Sequence, residues 1–186
     1  MATPLRIRRV LDPRRSTFVV AFLTVALMLG SAAPAGAGGI PPGRYAIGDS
    51  VMLGASGELR GRGIKVNATV SRQFSTLPGL IRRLRSSGRL RETVIIHLGN
   101  NGFLELNDCK AAVRAASGRT VYLVTVKVPR QWRQENNRRL ARCDRDFPRA
   151  HLVDWFRHSV NHPAWFADDL YHLTPVGQRR YAAFIS

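Results

Sequence analysis

The sequence predicts an α/β domain, a three-layer α/β/α sandwich built on a flavodoxin-like five-stranded parallel sheet. Two observations carry this. Short apolar runs such as Val94-Ile95-Ile96 and Val121-Tyr122-Leu123-Val124 lack the alternation of a half-exposed strand and suit strands buried on both faces. Polar stretches with helical periodicity separate them. An unbroken strand–helix alternation makes right-handed crossovers and therefore a parallel sheet with helices on both faces.

The strands are expected at Arg44–Ile47, Ile64–Val70, Thr93–Leu98, Thr120–Val126 and His151–Asp154. Helices are expected near 51–60, 77–87, 106–116, 131–145 and 175–185. Thr174-Pro175 starts the last one well, because threonine caps and proline fits the first helical position. No internal repeat, linker or second domain interrupts 38–186. Open parallel sheets bind ligands beyond the carboxyl ends of their strands. The loops to inspect are therefore 48–52, 71–75, 99–105, 127–131 and 155–172.

The first 37 residues read differently. Arg6, Arg8, Arg9, Arg14 and Arg15 form a basic leader, Thr17 to Gly30 are almost entirely apolar, and Ala35-Gly36-Ala37 supplies small residues. These are the three parts of a secretory signal peptide. The competing reading is a membrane anchor, but a bilayer asks for ~20 apolar residues and this run is shorter. The domain 38–186 is then expected outside the cytoplasm.

Charge narrows the partners. Of 29 Lys and Arg and 12 Asp and Glu, five Arg and Asp12 lie in the leader, so 24 basic and 11 acidic residues leave the domain at +13. Such a surface attracts polyanions, among them an anionic wall polymer. The plainer reading is a set of solvated helix faces, which the arginine-rich segments 82–91 and 138–149 fit. No aromatic-rich strand or recognition-helix pattern accompanies the charge, so nucleic acid is not expected as a partner. Cys109 and Cys143 are the only cysteines. An exported domain permits a bridge, but Cys109 near the start of one helix and Cys143 near the end of the next suggest a separation beyond the ~7 Å limit; both outcomes stay open. No histidine or cysteine spacing suggests a metal site.

Three motifs fall in the inspected loops. Gly48-Asp49-Ser50-Val51 follows the first strand and puts a serine at a helix N-terminus, where unpaired N–H groups favour developing negative charge. Gly99-Asn100-Asn101-Gly102 follows the third and offers a side-chain amide donor. Asp168-Asp169-Leu170-Tyr171-His172 precedes the last helix, and a carboxylate three residues before an imidazole can hold that ring by Nδ1–H, leaving Nε2 to take a proton from a hydroxyl. Each alone has an ordinary explanation: a helix cap, a turn, a surface loop. Met52, Phe74, Trp132 and Trp155 are candidates for lining a groove, although such residues more often pack in cores.

Together, in this order, the motifs resemble the SGNH (GDSL-type) hydrolases over about residues 41–186. Ser50 matches that family's first block, Asn101 the third, and Asp169 with His172 the fifth. Ile47 to Ala55, Ser71-Arg72-Gln73-Phe74, His97 to Gly102 and Val153-Asp154-Trp155 look like the extracytoplasmic SGNH domains joined to membrane acyltransferases, including the peptidoglycan O-acetyltransferases. Ser71 stands where a glycine is usual, and Gly102 where many esterases carry aspartate. The resemblance implies a Ser50–His172–Asp169 triad and an oxyanion hole from Ser50, Asn101 and the Ser71 backbone. It implies an acyl-ester or carbohydrate substrate, a membrane protein that supplies acyl groups, and no metal or organic cofactor. A general secreted esterase is the alternative enzyme, and a non-catalytic wall-binding domain the alternative outside enzymes.

Overall fold

The computed structural model describes residues 42–186; the leader, its Ala35-Gly36-Ala37 site and the start of the predicted domain lie outside the described residues. Five parallel strands form one sheet in the order β2-β1-β3-β4-β5, with β1 Arg44–Gly48, β2 Ile64–Ala68, β3 Thr93–His97, β4 Thr120–Val124 and β5 Ala150–Val153. The helices are α1 Ser50–Gly54, α2 Ser56–Gly61, α3 Leu77–Ser86, α4 Leu106–Ala116, α5 Arg133–Arg145, α6 Trp155–Ser159 and α7 Pro175–Ile185. The predicted sandwich is the fold observed.

The apolar runs are buried on both sides, as their composition requires. Tyr45, Ile47, Val94, Ile96, Val121 and Leu123 pack against α3, α4 and α5. The alternate residues Ala46, Ile95 and Val124 pack against Met52, Leu59, Trp155 and Tyr181 on the opposite face. Side chains alternate across a strand, so each run feeds two cores at once.

Several boundaries differ from expectation. β2 stops at Ala68, and the chain turns away with Val70 exposed. β4 stops at Val124, because the side chain of Asn137 takes both backbone groups of Val126, accepting from its N–H at 2.9 Å and donating to its carbonyl at 3.0 Å. The single helix expected near 51–60 is broken at the buried Ala55 into α1 and α2. The short α6, capped by Asp154, lay unrecognised within the loop 155–172.

Cys109 and Cys143 form a disulfide with Cα atoms 6.3 Å apart, against the offset argument. The two helices are slid along each other. Arg139 meets Glu105 at 3.0 Å and Lys110 meets Asp146 at 2.6 Å, so the start of α4 lies level with the middle of α5. Asn136 anchors that slide by donating to the carbonyls of Gly99 and Gly102 and accepting from Leu104 N–H.

α7 is fixed by close backbone contact. Its first turn is capped by Thr174, whose hydroxyl accepts from Gly177 N–H at 3.2 Å. A Cβ on Gly177 would lie 1.9 Å from the Trp165 carbonyl oxygen, a backbone atom that cannot swing aside. Gly177→Ala is expected to cost about 2 kcal/mol or more through overpacking, lowering Tm by about 4–8 °C in a domain of this size. A calorimetric Tm unchanged by this substitution would contradict the packing described.

Candidate active site

The three motifs meet at the carboxyl edge of the sheet. Ser50 is the first residue of α1, directly after Asp49 caps that helix by accepting from Val51 N–H at 3.1 Å. The glycine before them serves close packing: a Cβ on Gly48 would sit 2.4 Å from that of Met52. Only a bare backbone lets the first turn of α1 fold down onto β1.

His172 reaches this helix end from far along the chain. Its Nε2 lies 2.9 Å from Ser50 Oγ and its Nδ1 lies 2.5 Å from Asp169 Oδ2. Asp169 Oδ1 accepts from the backbone N–H groups of Tyr171 and His172 at 3.1 and 3.0 Å. One carboxylate thus holds the ring and the loop that carries it. Partial burial opposes ionisation of Asp169, but hydrogen bonds from the His172 ring and from these N–H groups outweigh it and hold the carboxyl below its ordinary range. The carboxylate that meets the His172 ring is that of Asp169, not of its neighbour Asp168.

The loop is shaped by a pinched backbone. Ala167 N–H donates to the His172 carbonyl at 2.8 Å, and Leu170 adopts φ 66°, a left-handed conformation unfavourable for its side chain. Lys127 compensates from the β4–α5 loop. Its ammonium donates to the Leu170 carbonyl and rests 3.8 Å from the centre of the Phe166 ring. Sequence reading missed Lys127, because its partner lies 43 residues away and no local pattern announces the contact.

Asn101 and Ser71 stand on neighbouring loops. Gln73 joins them, its amide donating to the Ser71 carbonyl at 3.2 Å and the Asn101 carbonyl at 3.3 Å. Ser71 has φ 58°, the region glycine occupies without strain, so serine here adopts the backbone shape expected of the usual glycine. Arg72 staples the same loop to the sheet through the carbonyls of Gly48 and Asn67 and the side chains of Asn67 and Thr69.

Beneath the site lies a carboxylate, within the first motif, to which the sequence alone assigned no role. Asp49 is fully buried and accepts from the side-chain amides of Asn100 at 3.0 Å and Asn101 at 3.2 Å. Burial pushes its carboxyl upward, opposed by the hydrogen bonds from Asn100 and Val51. An amide nitrogen carries two hydrogens, so Asn101 spends one on Asp49 and keeps the other. Nearby, His97 is buried beside Tyr181 with Nδ1 2.8 Å from the phenol oxygen, and burial lowers its pKa to about 3, keeping the ring neutral. Of the candidate groove residues, Met52, Phe74 and Trp155 belong to the cores. Trp132 is half-buried beside Phe103, their ring centres 6.0 Å apart, and Phe103 is 55% exposed.

No protein-family model matches the chain. Among curated proteins it is 35% identical over 142 residues to YrhL of Bacillus subtilis, covering 75% of this chain and 22% of that protein. It is 34% identical over 146 residues to the peptidoglycan O-acetyltransferase OatA of Listeria monocytogenes, covering 76% and 23%. The chain therefore spans under a quarter of the length of these relatives. Among solved structures, the C-terminal catalytic domain of Streptococcus pneumoniae peptidoglycan O-acetyltransferase A superposes with TM-score 0.71 at 25% identity, over 79% of this chain and 92% of that one. A GDSL-like lipase from Bacteroides thetaiotaomicron shares the fold at TM-score 0.60 and 16% identity, over 76% and 84%. With these relatives and this sheet, the chain belongs to the SGNH (GDSL-type) hydrolase family, within which its relatives by sequence are peptidoglycan O-acetyltransferases.

Proposed function

We propose that the chain is an exported serine enzyme that moves O-acetyl groups to or from cell-wall carbohydrate through Ser50, His172 and Asp169. The observation that carries this is the continuous relay from Asp169 through His172 to Ser50, at 2.5 and 2.9 Å. His172 Nε2 takes the proton as Ser50 Oγ attacks the ester carbonyl, while Asp169 stabilises the imidazolium. The oxyanion is held by the N–H of Ser50, the free amide hydrogen of Asn101 and the N–H of Ser71. On collapse, His172 returns its proton to the departing alkoxide and leaves acyl-Ser50. The same ring then activates an acceptor hydroxyl. These steps run on this chain's own side chains and require no metal or organic cofactor. The carbohydrate substrate and the membrane protein that delivers acyl groups are read from the peptidoglycan O-acetyltransferases, which this chain resembles over one region only.

Transfer is favoured over hydrolysis by positioning. A sugar hydroxyl bound next to His172 gains effective molarity over water, and Phe103 with Trp132 gives an exposed aromatic surface two residues beyond Asn101. With p-nitrophenyl acetate as donor and chito-oligosaccharide or muropeptide acceptors, mass spectrometry is expected to find acetylated sugar as well as acetate. If acetate is the sole product across all acceptors and acetylated glycans are stripped instead, the enzyme is a carbohydrate esterase. If only simple lipid or aryl esters turn over, it is a general secreted esterase.

A further inference from the structure

The end of the sheet remote from Ser50 carries a second concavity. The start of β2, Tyr45 on β1, the end of α2 and the Gly88–Arg91 turn enclose a groove of about 560 Å³. Arg60, Lys65, Arg89 and Arg91 line it, and no acidic residue does. The contrast with the arginine-rich flank of α5 is informative. There Arg138 and Arg139 are paired with Glu135, Arg139 also with Glu105, and Lys110 with Asp146. Among the described residues, none of the four groove cations enters an ion pair. Cations gathered in a concavity repel one another, and a low-dielectric wall focuses their field outward.

Lys65 alone has a simpler explanation. β2 is an edge strand, pairing only with β1, and an outward lysine on such an edge discourages strand addition by other chains. That argument does not reach Arg60 on α2 or Arg89 and Arg91 on the α3–β3 turn, which converge on the same hollow from other elements. Guanidinium forks match phosphate oxygens two at a time. The single aromatic residue of the lining, Tyr45, is only 4% exposed, which leaves no platform for stacking bases.

We propose that this groove binds the backbone of a phosphodiester polymer lacking bases, a polyol phosphate chain, held by Arg60, Lys65, Arg89 and Arg91. Arg44 pairs with Ile64 at the groove end of the sheet, whereas Gly48 leads into Ser50 at the other. A strand of this length separates the two by roughly 13 Å or more, so the polymer holds the domain without obstructing its reactive edge. The groove stands independently of the acyl-transfer reading.

The test measures binding of synthetic poly(glycerol phosphate) to the purified chain as a function of salt. Arg60→Gln, Lys65→Gln, Arg89→Gln and Arg91→Gln are combined in one variant. A control of equal charge combines Arg82→Gln, Arg83→Gln, Arg142→Gln and Arg145→Gln. Binding is expected to weaken at least about tenfold in the groove variant, with a shallower salt dependence, and less than about threefold in the control. The circular dichroism spectrum and Tm, unchanged in both, report intact folding; if the fourfold groove variant does not fold, the α3–β3 turn pair Arg89→Gln and Arg91→Gln replaces it. Equal weakening in groove and control overturns the proposal in favour of diffuse charge. Tighter binding of a single-stranded oligonucleotide, lost in the groove variant, overturns it in favour of nucleic acid.

Discussion

Ser50→Ala and His172→Ala are each expected to lower ester turnover by about 10⁴-fold or more while leaving Tm and the circular dichroism spectrum close to the parent. The size follows from how the groups are joined. Without His172 the serine hydroxyl has no acceptor for its proton; without Ser50 the imidazole has nothing to activate. Groups that act as one unit lose their whole contribution with the first removal, so the double variant should be no more than a few-fold worse than either single one. Asp169→Asn belongs to the same experiment. The substitution keeps the shape but replaces the Oδ2 acceptor, 2.5 Å from His172 Nδ1, and permits the tautomer whose Nε2 bears the hydrogen and cannot receive one. A loss of about 10³–10⁴-fold in kcat is expected by analogy with other serine triads. Turnover within tenfold of the parent in Ser50→Ala would exclude Ser50 as nucleophile.

The parts of this site that could be read in the sequence are those whose partners are close along the chain or whose position follows from the strand order. Asp169 is three residues from His172, and a single turn explains their contact. Ser50, Ser71 and Asn101 follow β1, β2 and β3, and a parallel sheet brings the ends of adjacent strands together whatever the loops contain. The supporting contacts have neither property. Lys127 reaches Leu170, Gln73 reaches Asn101 and Arg72 reaches Gly48 by side-chain bonds to backbone atoms, which impose no periodicity on the sequence. The disulfide was unreadable for a related reason. Strand–helix alternation sets the direction of α4 and α5 but not their slide, which depends on Asn136 holding the Gly99–Leu104 loop. The break at Ala55 is likewise invisible to hydrophobic periodicity, because Met52, Ala55 and Leu59 are buried on one side of both short helices.

Asp49→Asn is expected to reduce kcat by about 10–100-fold with little change in KM, although Asp49 touches neither His172 nor the reacting bond. In the parent, Oδ1 caps α1 through Val51 N–H and Oδ2 receives the amides of Asn100 and Asn101. Asparagine preserves the size and the cap, since its Oδ1 still accepts from Val51. It places an NH2 group where Oδ2 stood, facing two other NH2 groups with no acceptor between them. Buried donors left without partners cost about 1–3 kcal/mol each, so the Asn101 amide rotates away to find one. The oxyanion then loses a donor that acts chiefly in the transition state, which lowers kcat more than substrate binding. Removing one such donor outright costs about 10²–10³-fold in comparable sites, and misplacing it should cost less. The decisive comparison is the double variant Asp49→Asn with Asn101→Ala. If Asp49 acts through Asn101, the pair is no slower than Asn101→Ala alone. Fully multiplicative losses would mean that Asp49 serves the reaction by another route, and an unchanged kcat in Asp49→Asn would show that Asn101 keeps its aim without the buried carboxylate.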